Sequence, residues 1–395
     1  MLTTGIISEW NPFHSGHAYL IERLRRGGAT HIAAVMSGNF VQRGEAAVLE
    51  KRIRAKQALL CGADLVVELP LPWVVAGAEK FAFGGVALLD ALGADRIGFG
   101  SECGSVERLR KASAALSSPL LRGAMRGALN GGATFAAARQ SAVESLFGKD
   151  AAGLLRDPNN ILGIEYLRAI DRLGSGMIPV TCARRGGAHD AESGRGGFVS
   201  SKRIRQMLRE GRDCSGLMPE PARAVLSREL ENGNAPASLS FAERAVLAKL
   251  RTMSGREFSA LPDLSEGLQN RVAAAVRKAT DLEELYFAVK TKRYPLARIR
   301  RIVLSAFLGL KASHSAGAPP YLRVLGLGKR GPEILRRARE SAKLPVISRF
   351  GDLAALDGRA REIAALESRA SDLYALCRPK AGPCGLEWSE KIATV

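Results

Sequence analysis

Two histidines three residues apart, His14 and His17, flank Gly16 in the segment GIISEWNPFHSGH. At a helix entrance, residues spaced i, i+3 share a face, so both imidazoles can point to one side. Gly16 removes the side chain that would keep a ligand away from the backbone. The unpaired N–H groups and the positive end of the helix dipole face the same place. That combination is a phosphate site, and two imidazoles add donors that can follow charge onto phosphate oxygens in a transition state. Displacement at the α-phosphorus of ATP suits it, because positioning and charge neutralisation do most of that catalysis. An H-x-G-H string is expected about 0.007 times by chance in a chain of this composition. The competing reading is that the two histidines only cap a helix.

For the pair to act on a ligand, a buried strand must end near Ser8, a turn containing Pro12 must follow, and a helix must begin around Ser15. The sequence supplies that rhythm repeatedly. TTGIIS, HIAAVMSG, ADLVVELP, DRIGFGSE and MIPVTCA read as buried strands. Between them AYLIERLRRG, AVLEKRIRAKQALLCGA, AEKFAFGGVALLDALGA and NNILGIEYLRAIDRLG read as helices. Strand, helix, strand in alternation implies right-handed crossovers and a parallel sheet covered on both faces. The strand signals end before Ile204, and FAERAVLAKLRTM, LQNRVAAAVRKA and EILRRARESAKL read as helices. The fold class is therefore α/β: a Rossmann-like parallel-sheet nucleotide-binding domain over residues 1–215, then a mainly α-helical domain over 216–395. The stretch PEPARAVLSRELENGNAPASLS is the expected boundary.

Composition narrows the partners. The 395 residues are 46% hydrophobic and 25% charged, which excludes a mainly disordered chain, a collagen and a small disulfide scaffold. Lys and Arg number 58 against 39 Asp and Glu, a formal charge of +19, which favours a polyanion such as nucleic acid or an anionic membrane surface. Residues 216–395 hold 30 basic and 19 acidic side chains, so both parts of the chain share the surplus. Two stretches are densest, VKTKRYPLARIRRI and RVLGLGKRGPEILRRARESAK, although charge runs are often only solvated helix faces. The six cysteines are scattered without a C-x-x-C pair, so Cys377 and Cys384 read as free thiols rather than zinc ligands. MLTTGIISEW lacks a basic n-region and a small-residue cleavage site and is not read as a signal peptide. The most apolar later stretch is interrupted by Glu68, Glu79, Lys80 and two prolines, too often to span a bilayer. A reduced cytoplasmic setting fits these features.

H-x-G-H after the first strand resembles the signature of the HIGH-type nucleotidyl-transferase superfamily. The longer strings MSGNFVQRGE, ELP, GFGSE and PNNILGIEYLRAI, in that order, are similar to the bacterial tRNA-Met cytidine acetate ligase family over most of the first 210 residues. The second half is similar more loosely, through GKRGPEIL and KLPVISR. The resemblance implies that ATP and acetate form acetyl-adenylate. The acetyl group would then pass to the exocyclic amine of the wobble cytidine in elongator tRNA-Met. Magnesium is expected with the nucleotide, held more by phosphates and water than by a protein cage.

Carried over residue by residue, the resemblance makes Ile7, Ser8, Glu9, Trp10, Asn11, Pro12, Phe13, His14, Ser15, Gly16, His17, Ala18, Tyr19 and Leu20 the ATP-binding strand and loop. Gly100 matches a glycine at the end of the fourth strand, where a nucleotide can approach bare backbone. Asn159 and Asn160 match PNN, with helix capping as the alternative. Arg184 and Arg185 match an Arg-containing nucleotide-binding string. Ser200, Ser201 and Arg205 fall where the superfamily has its second phosphate string, with Arg205 counted among the catalytic residues beside His14 and His17; serine N-capping is again the alternative. Ser37, Gly38, Asn39, Gln42 and Arg43 follow the second strand, and Arg43 is a candidate for the acetate carboxylate or for RNA. Lys51 and Arg54 could equally be surface charges.

The chain departs from the family at Trp10, where Tyr is usual, at Ala46 for a proline, and at Lys202 for a small hydroxyl residue. The string ARRGGAHD is short and lacks a tyrosine before His189. Two other functions share parts of the pattern: a small-molecule adenylyltransferase, and a non-catalytic RNA-binding factor on a retired nucleotidyl-transferase fold. The first would not need about 180 extra basic helical residues. An intact H-x-G-H speaks against the second.

Overall fold

The computed structural model describes residues 1–184, 199–265, 267–341 and 343–395. The first strand, β1 (Thr3–Ser8), leads into α1 (Ser15–Arg26) and β2 (His31–Ser37). A small hairpin, β3 (Phe40–Val41) and β4 (Glu45–Ala46), precedes α2 (Lys51–Leu60) and β5 (Leu65–Leu69). Next come α3 (Leu71–Val74), α4 (Ala78–Ala91) and β6 (Arg96–Ser101). A helical insertion follows: α5 (Val106–Ser117), α6 (Pro119–Asn130), α7 (Phe135–Phe147), α8 (Lys149–Gly153) and α9 (Pro158–Leu173), ending in β7 (Ile178–Ala183).

β5, β2, β1, β6 and β7 lie side by side and all pair in parallel. The chain order reverses between β1 and β6, and ligands of open α/β sheets bind outside the carboxyl ends of the strands at such a point. Every residue of β2 and β5 is buried, as expected for central strands covered on both faces. Alternation sorts the side chains: Ile7, Ala33 and Val35 join one core, and Ile6, Ile32, Ala34 and Met36 the other. Glycines let the helices close on the strands. A Cβ at Gly5 would lie 2.5 Å from Leu89 of α4, and one at Gly98 would lie 2.5 Å from Leu24 of α1 on the opposite face. α1, which follows β1, and α4, which precedes β6, are thereby pressed directly against the sheet.

Beyond this sheet the chain continues through α10 (Ser201–Arg209), α11 (Glu220–Glu231), α12 (Glu243–Arg251), α13 (Gly255–Ser259), α14 (Leu268–Lys278), α15 (Leu282–Val289) and α16 (Leu296–Leu308). It ends with β8 (Leu322–Leu327), α17 (Gly331–Ser341), β9 (Val346–Ile347), α18 (Gly358–Ala375), α19 (Leu386–Ser389) and β10 (Ala393–Thr394). Three strands thus follow Ile204, where the sequence reading places none. β8 pairs antiparallel with β5, and β9 and β10 pair with β8, so the mostly helical second half returns strands to the first sheet. The signal is disguised by Arg323, which reads as a surface charge but is buried, paired with Glu387 and stacked 4.9 Å over the Phe350 ring. The expected boundary at 219–240 is also packed rather than open. Ala222 and Leu226 of α11 are buried, and Gln57 Nε2 of α2 donates to the Ala222 carbonyl at 2.7 Å. All six cysteines are free, as the sequence reading has it for Cys377 and Cys384. Among the described residues no helix is long and apolar enough to cross a membrane.

Candidate active site at the switch point

β1 stops at Ser8, and Trp10, at φ 42°, turns the backbone towards α1. His14 is the N-cap of that helix. Its Nδ1 accepts from Gly16 N–H at 3.0 Å, while its own N–H donates to His17 Nδ1 at 3.2 Å. The capping alternative is therefore real, and it has a chemical consequence. A neutral imidazole that accepts at Nδ1 carries its proton on Nε2, so both rings are fixed as Nε2–H donors. The rings stack with centroids 3.7 Å apart and planes 26° from parallel.

Burial, then the Arg184 and Arg205 charges, push the His14 pKa down to about 3. Burial, then His14 and Arg184, lower His17 well below the ordinary imidazole value. Both rings are therefore neutral donors at pH 7, and the positive charge of the corner comes from Arg184 and Arg205. His14 Nε2 lies 2.9 Å from Ser201 Oγ in the first turn of α10. Arg205, one turn on, donates through Nη1 to the Asn11 carbonyl at 2.9 Å. The amino ends of α1 and α10 thus meet beside the carboxyl end of β1, which brings the positive ends of two helix dipoles together.

The remaining expected residues divide by role. Ile7, Trp10 and Phe13 are buried in the two cores, and Asn11 Oδ1 accepts from Val48 N–H at 2.8 Å, so these shape the loop. Pro12 is buried, Ser8 and Gly16 are partly exposed, and Ser15 Oγ donates to the Leu217 carbonyl at 2.9 Å. Ala18, Tyr19 and Leu20 lie half-buried along α1. Glu9 accepts from Gln42 N–H at 2.6 Å; burial raises its pKa against that bond and the charges of Arg205, Arg54 and Arg43.

At Gly100 a Cβ would lie 3.4 Å from Arg184 Cγ, so the end of β6 is lined by the arginine stem. Asn159 and Asn160 do not cap α9; Asp157 occupies that position. Instead Asn159 Nδ2 donates to Glu102 Oε1 at 2.6 Å, and Asn160 N–H donates to Glu102 Oε2 at 2.8 Å. Asn160 Oδ1 accepts from Cys103 N–H at 3.0 Å. The pair lashes the loop after β6 to the start of α9. Ser200 does cap α10, accepting from Arg203 N–H at 3.3 Å, whereas Ser201 reaches His14. Arg185 and His189 lie outside the described residues.

Lys51 and Arg54 are not surface charges, since both are fully buried. Lys51 donates to Glu68 at 2.7 Å and 2.9 Å and also pairs with Glu387. Arg54 donates to the carbonyls of Leu49 and Ser37, each at 3.0 Å, and to those of Glu9 and Gly38. One guanidinium therefore ties the end of β1 to the loop after β2. Asn39 is occupied in the same frame, accepting from Lys51 N–H at 2.8 Å. Arg43 stays exposed at the tip of the β3–β4 hairpin. Sequence reading missed Glu102 and Glu45 as anchors, although both sit inside quoted strings. Their acidity, in a chain so rich in arginine, is the signal that was available.

A switch point that joins H-x-G-H to two helix amino ends defines a nucleotidyl transferase. Residues 1–384 match the HIGH Nucleotidyl Transferase family, and the chain belongs to it. Its curated relatives include the tRNA(Met) cytidine acetate ligase of Caldanaerobacter subterraneus subsp. tengcongensis, 37% identical over 88% of this chain and 89% of that one. The protein of the same name from Syntrophotalea carbinolica is 40% identical over 88% of this chain and 85% of its own. Among solved structures, apo Thermotoga maritima TmcAL superposes with a TM-score of 0.94 at 31% identity, covering 100% of both chains. Thermotoga maritima TmcAL bound with alpha-thio ATP superposes at 0.92 with 30% identity, again over 100% of each chain.

Proposed function

We propose that the chain is an ATP-dependent tRNA(Met) cytidine acetate ligase. The observation that carries this reading is the pair of neutral Nε2–H donors, His14 and His17, fixed between two helix amino ends and flanked by Arg184 and Arg205. The names of the relatives and the nucleotide analogue bound to a structural neighbour support it.

An acetate oxygen attacks the α-phosphorus of ATP, the bond to the β-phosphate oxygen breaks, and pyrophosphate leaves. The chain's part is to gather oxygens: the positive ends of α1 and α10 and the His17 Nε2–H serve the phosphates, His14 joins them by exchanging its bond to Ser201 for one to phosphate, and Arg205 and Ser201 serve the departing pyrophosphate. The cytidine amine then attacks the acetyl carbon, AMP leaves with the bonding pair, and the amine proton goes to water. Adenylation is needed because a carboxylate oxygen is otherwise too poor a leaving group for an amine to displace. Arg43, exposed at the hairpin tip, is the candidate to meet either the acetate carboxylate or the RNA. Magnesium would come with ATP, held by the phosphates and water, and would screen phosphate charge there.

The polyanionic acceptor accounts for the charge of +19. We assign much of its binding to the basic, mostly helical residues 216–395, and the reaction to the cytoplasm, where ATP, tRNA and free thiols coexist. Incubating the protein with ATP, labelled acetate and tRNA, and following AMP and N4-acetylcytidine, tests the whole reading. Both products are expected, and AMP should form slowly or not at all without acetate. Absence of label from the nucleoside, with wild-type protein and elongator tRNA-Met, would overturn it.

A further inference from the structure

Apart from β8, which the second includes, the two densest basic stretches sit at opposite ends of the sheet. Arg330 of the second stretch donates to the Thr30 carbonyl at 2.8 Å, and Arg337 pairs with Asp95 at 2.8 Å. Gly331 packs on Asp64. Thr30, Asp64 and Asp95 immediately precede β2, β5 and β6, so this stretch is anchored at the amino ends of the strands. A strand of six residues is about 20 Å long, which is the distance from there to the reacting edge.

The first stretch lies at that edge. Glu45 of the hairpin pairs with Arg300 of α16 at 2.5 Å, and Arg209 and Arg205 of α10 approach it at 3.7 Å and 4.0 Å. At Gly44 a Cβ would meet the Arg300 backbone at 2.5 Å, so α16 is seated on the hairpin turn. The same turn is tied to Glu9 through Gln42. One half-buried carboxylate thus gathers three arginines and leaves a surplus of positive charge beside the site. Arg43, Lys202, Lys292 and Arg293 make no ion pair among the described residues; all four are exposed. Five residues before Lys292 in the chain, Phe287 is 59% exposed, with Lys290 Nζ 5.4 Å from its ring centre. An exposed aromatic among unpaired cations is what a single-stranded RNA loop requires, since bases stack on the ring while phosphates meet the charges.

We propose that the acceptor RNA loop enters over the β3–β4 hairpin, between the basic face of α10 and the segment 290–300 that leads into α16, and that the α17 stretch takes no part in binding it. This rests on the tRNA-modifying reading and names the surface that reading leaves open. Its test compares two double reversals that change net charge equally: Lys292→Glu/Arg293→Glu at the rim and Lys329→Glu/Arg336→Glu at the far end. tRNA dissociation constants are measured across a salt series, with melting temperature as the check on folding. The rim pair is expected to weaken binding about 10-fold or more and to flatten the log–log salt slope by about 1 to 2, the value for two lost phosphate contacts. The far pair should stay within about 2-fold. Should the rim reversal melt early, Lys292→Gln and Arg293→Gln singly give the same comparison. Equal losses in both pairs, or a larger loss at the far end, overturn the proposed path. Failure of the unaltered protein to bind tRNA would defeat the functional reading itself, and this one with it.

Discussion

His14 Nε2 and Ser201 Oγ lie 2.9 Å apart although 187 positions separate them in the chain. Because His14 Nδ1 already accepts from Gly16, the ring donates and the hydroxyl accepts. The first turn of α10 is thereby registered against the first turn of α1, and the two helix amino ends hold their spacing across the ligand site. Ser201→Ala removes the acceptor without removing Arg205. A typical hydrogen bond contributes about 1 kcal/mol, so acetyl-adenylate formation should fall about 5- to 10-fold. Ser201→Thr should restore most of it. Steady-state AMP release measures both, and an unaltered rate in the alanine variant would remove Ser201 from the site.

His17→Ala should do far more. It deletes one Nε2–H donor and also strands the His14 N–H that His17 Nδ1 accepts at 3.2 Å. Loss of one preorganised donor to a developing oxyanion costs about 100- to 1000-fold in comparable sites. Acetyl-adenylate formation should therefore drop by that order, while tRNA affinity stays within a few-fold, because the basic rim is untouched. Binding measured by filter retention separates the two. A variant of normal turnover would contradict the assignment of the paired imidazoles.

The corner was legible because it is local: strand, turn, His14 and His17 follow one another from Thr3 to His17, and each declares itself by type. Its supports were not. Arg54 and Lys51 open a helix and look like solvated charges, yet each is buried because its partners come from elsewhere, the carbonyls of Glu9 and Ser37 for one and the carboxylates of Glu68 and Glu387 for the other. No periodicity reports a partner some 336 residues away. β8 was hidden for the same reason. Its arginine is satisfied by Glu387 and Phe350 late in the chain, so a six-residue strand carrying a charge passed for part of a basic surface.

The depressed imidazoles set a pH signature. The unfolded histidine titrates near 6.5, and His14 in the fold titrates at about 3. Between those values the unfolded chain binds a proton that the folded chain refuses, so stability falls as pH drops from about 6.5 towards 3. The slope reaches about 1.4 kcal/mol per pH unit for one such group. Glu9 and Glu367, whose pKa values are raised by burial, contribute with the opposite sign. The measurement is therefore a difference: urea unfolding of wild type against His14→Gln from pH 7 to 4. The wild type should lose stability faster. In the same range above pH 5, kcat/KM for ATP should show no imidazole inflection from His14; a step near 6.5 that His14→Gln removes would mean that the ring is charged when it acts.

Lys51 makes the strongest stability prediction. It is fully buried between Glu68 and Glu387. Burial pushes the Glu387 carboxyl up, but Lys51 and Arg52 beside it prevail and hold it at about 2. Ser371 donates to the same carboxylate at 2.5 Å, and Glu367 of the same helix accepts from Leu71 N–H, so α18 and α19 are bolted to the start of α2 and to α3. Lys51→Met leaves two carboxylates buried without their ammonium, a change that costs about 3–5 kcal/mol when one partner of a buried pair is removed. Urea unfolding at pH 7 should show that loss. Lys51→Met/Glu68→Gln should recover part of it, because one of the stranded charges is then gone. The sign with pH is also fixed. Glu387 contributes its stability above the unfolded value of 4.5 and loses it as pH falls towards about 2. Lowering the pH through that window should therefore narrow the gap between wild type and Lys51→Met, whereas a gap that held constant would mean the cluster's contribution is packing rather than charge.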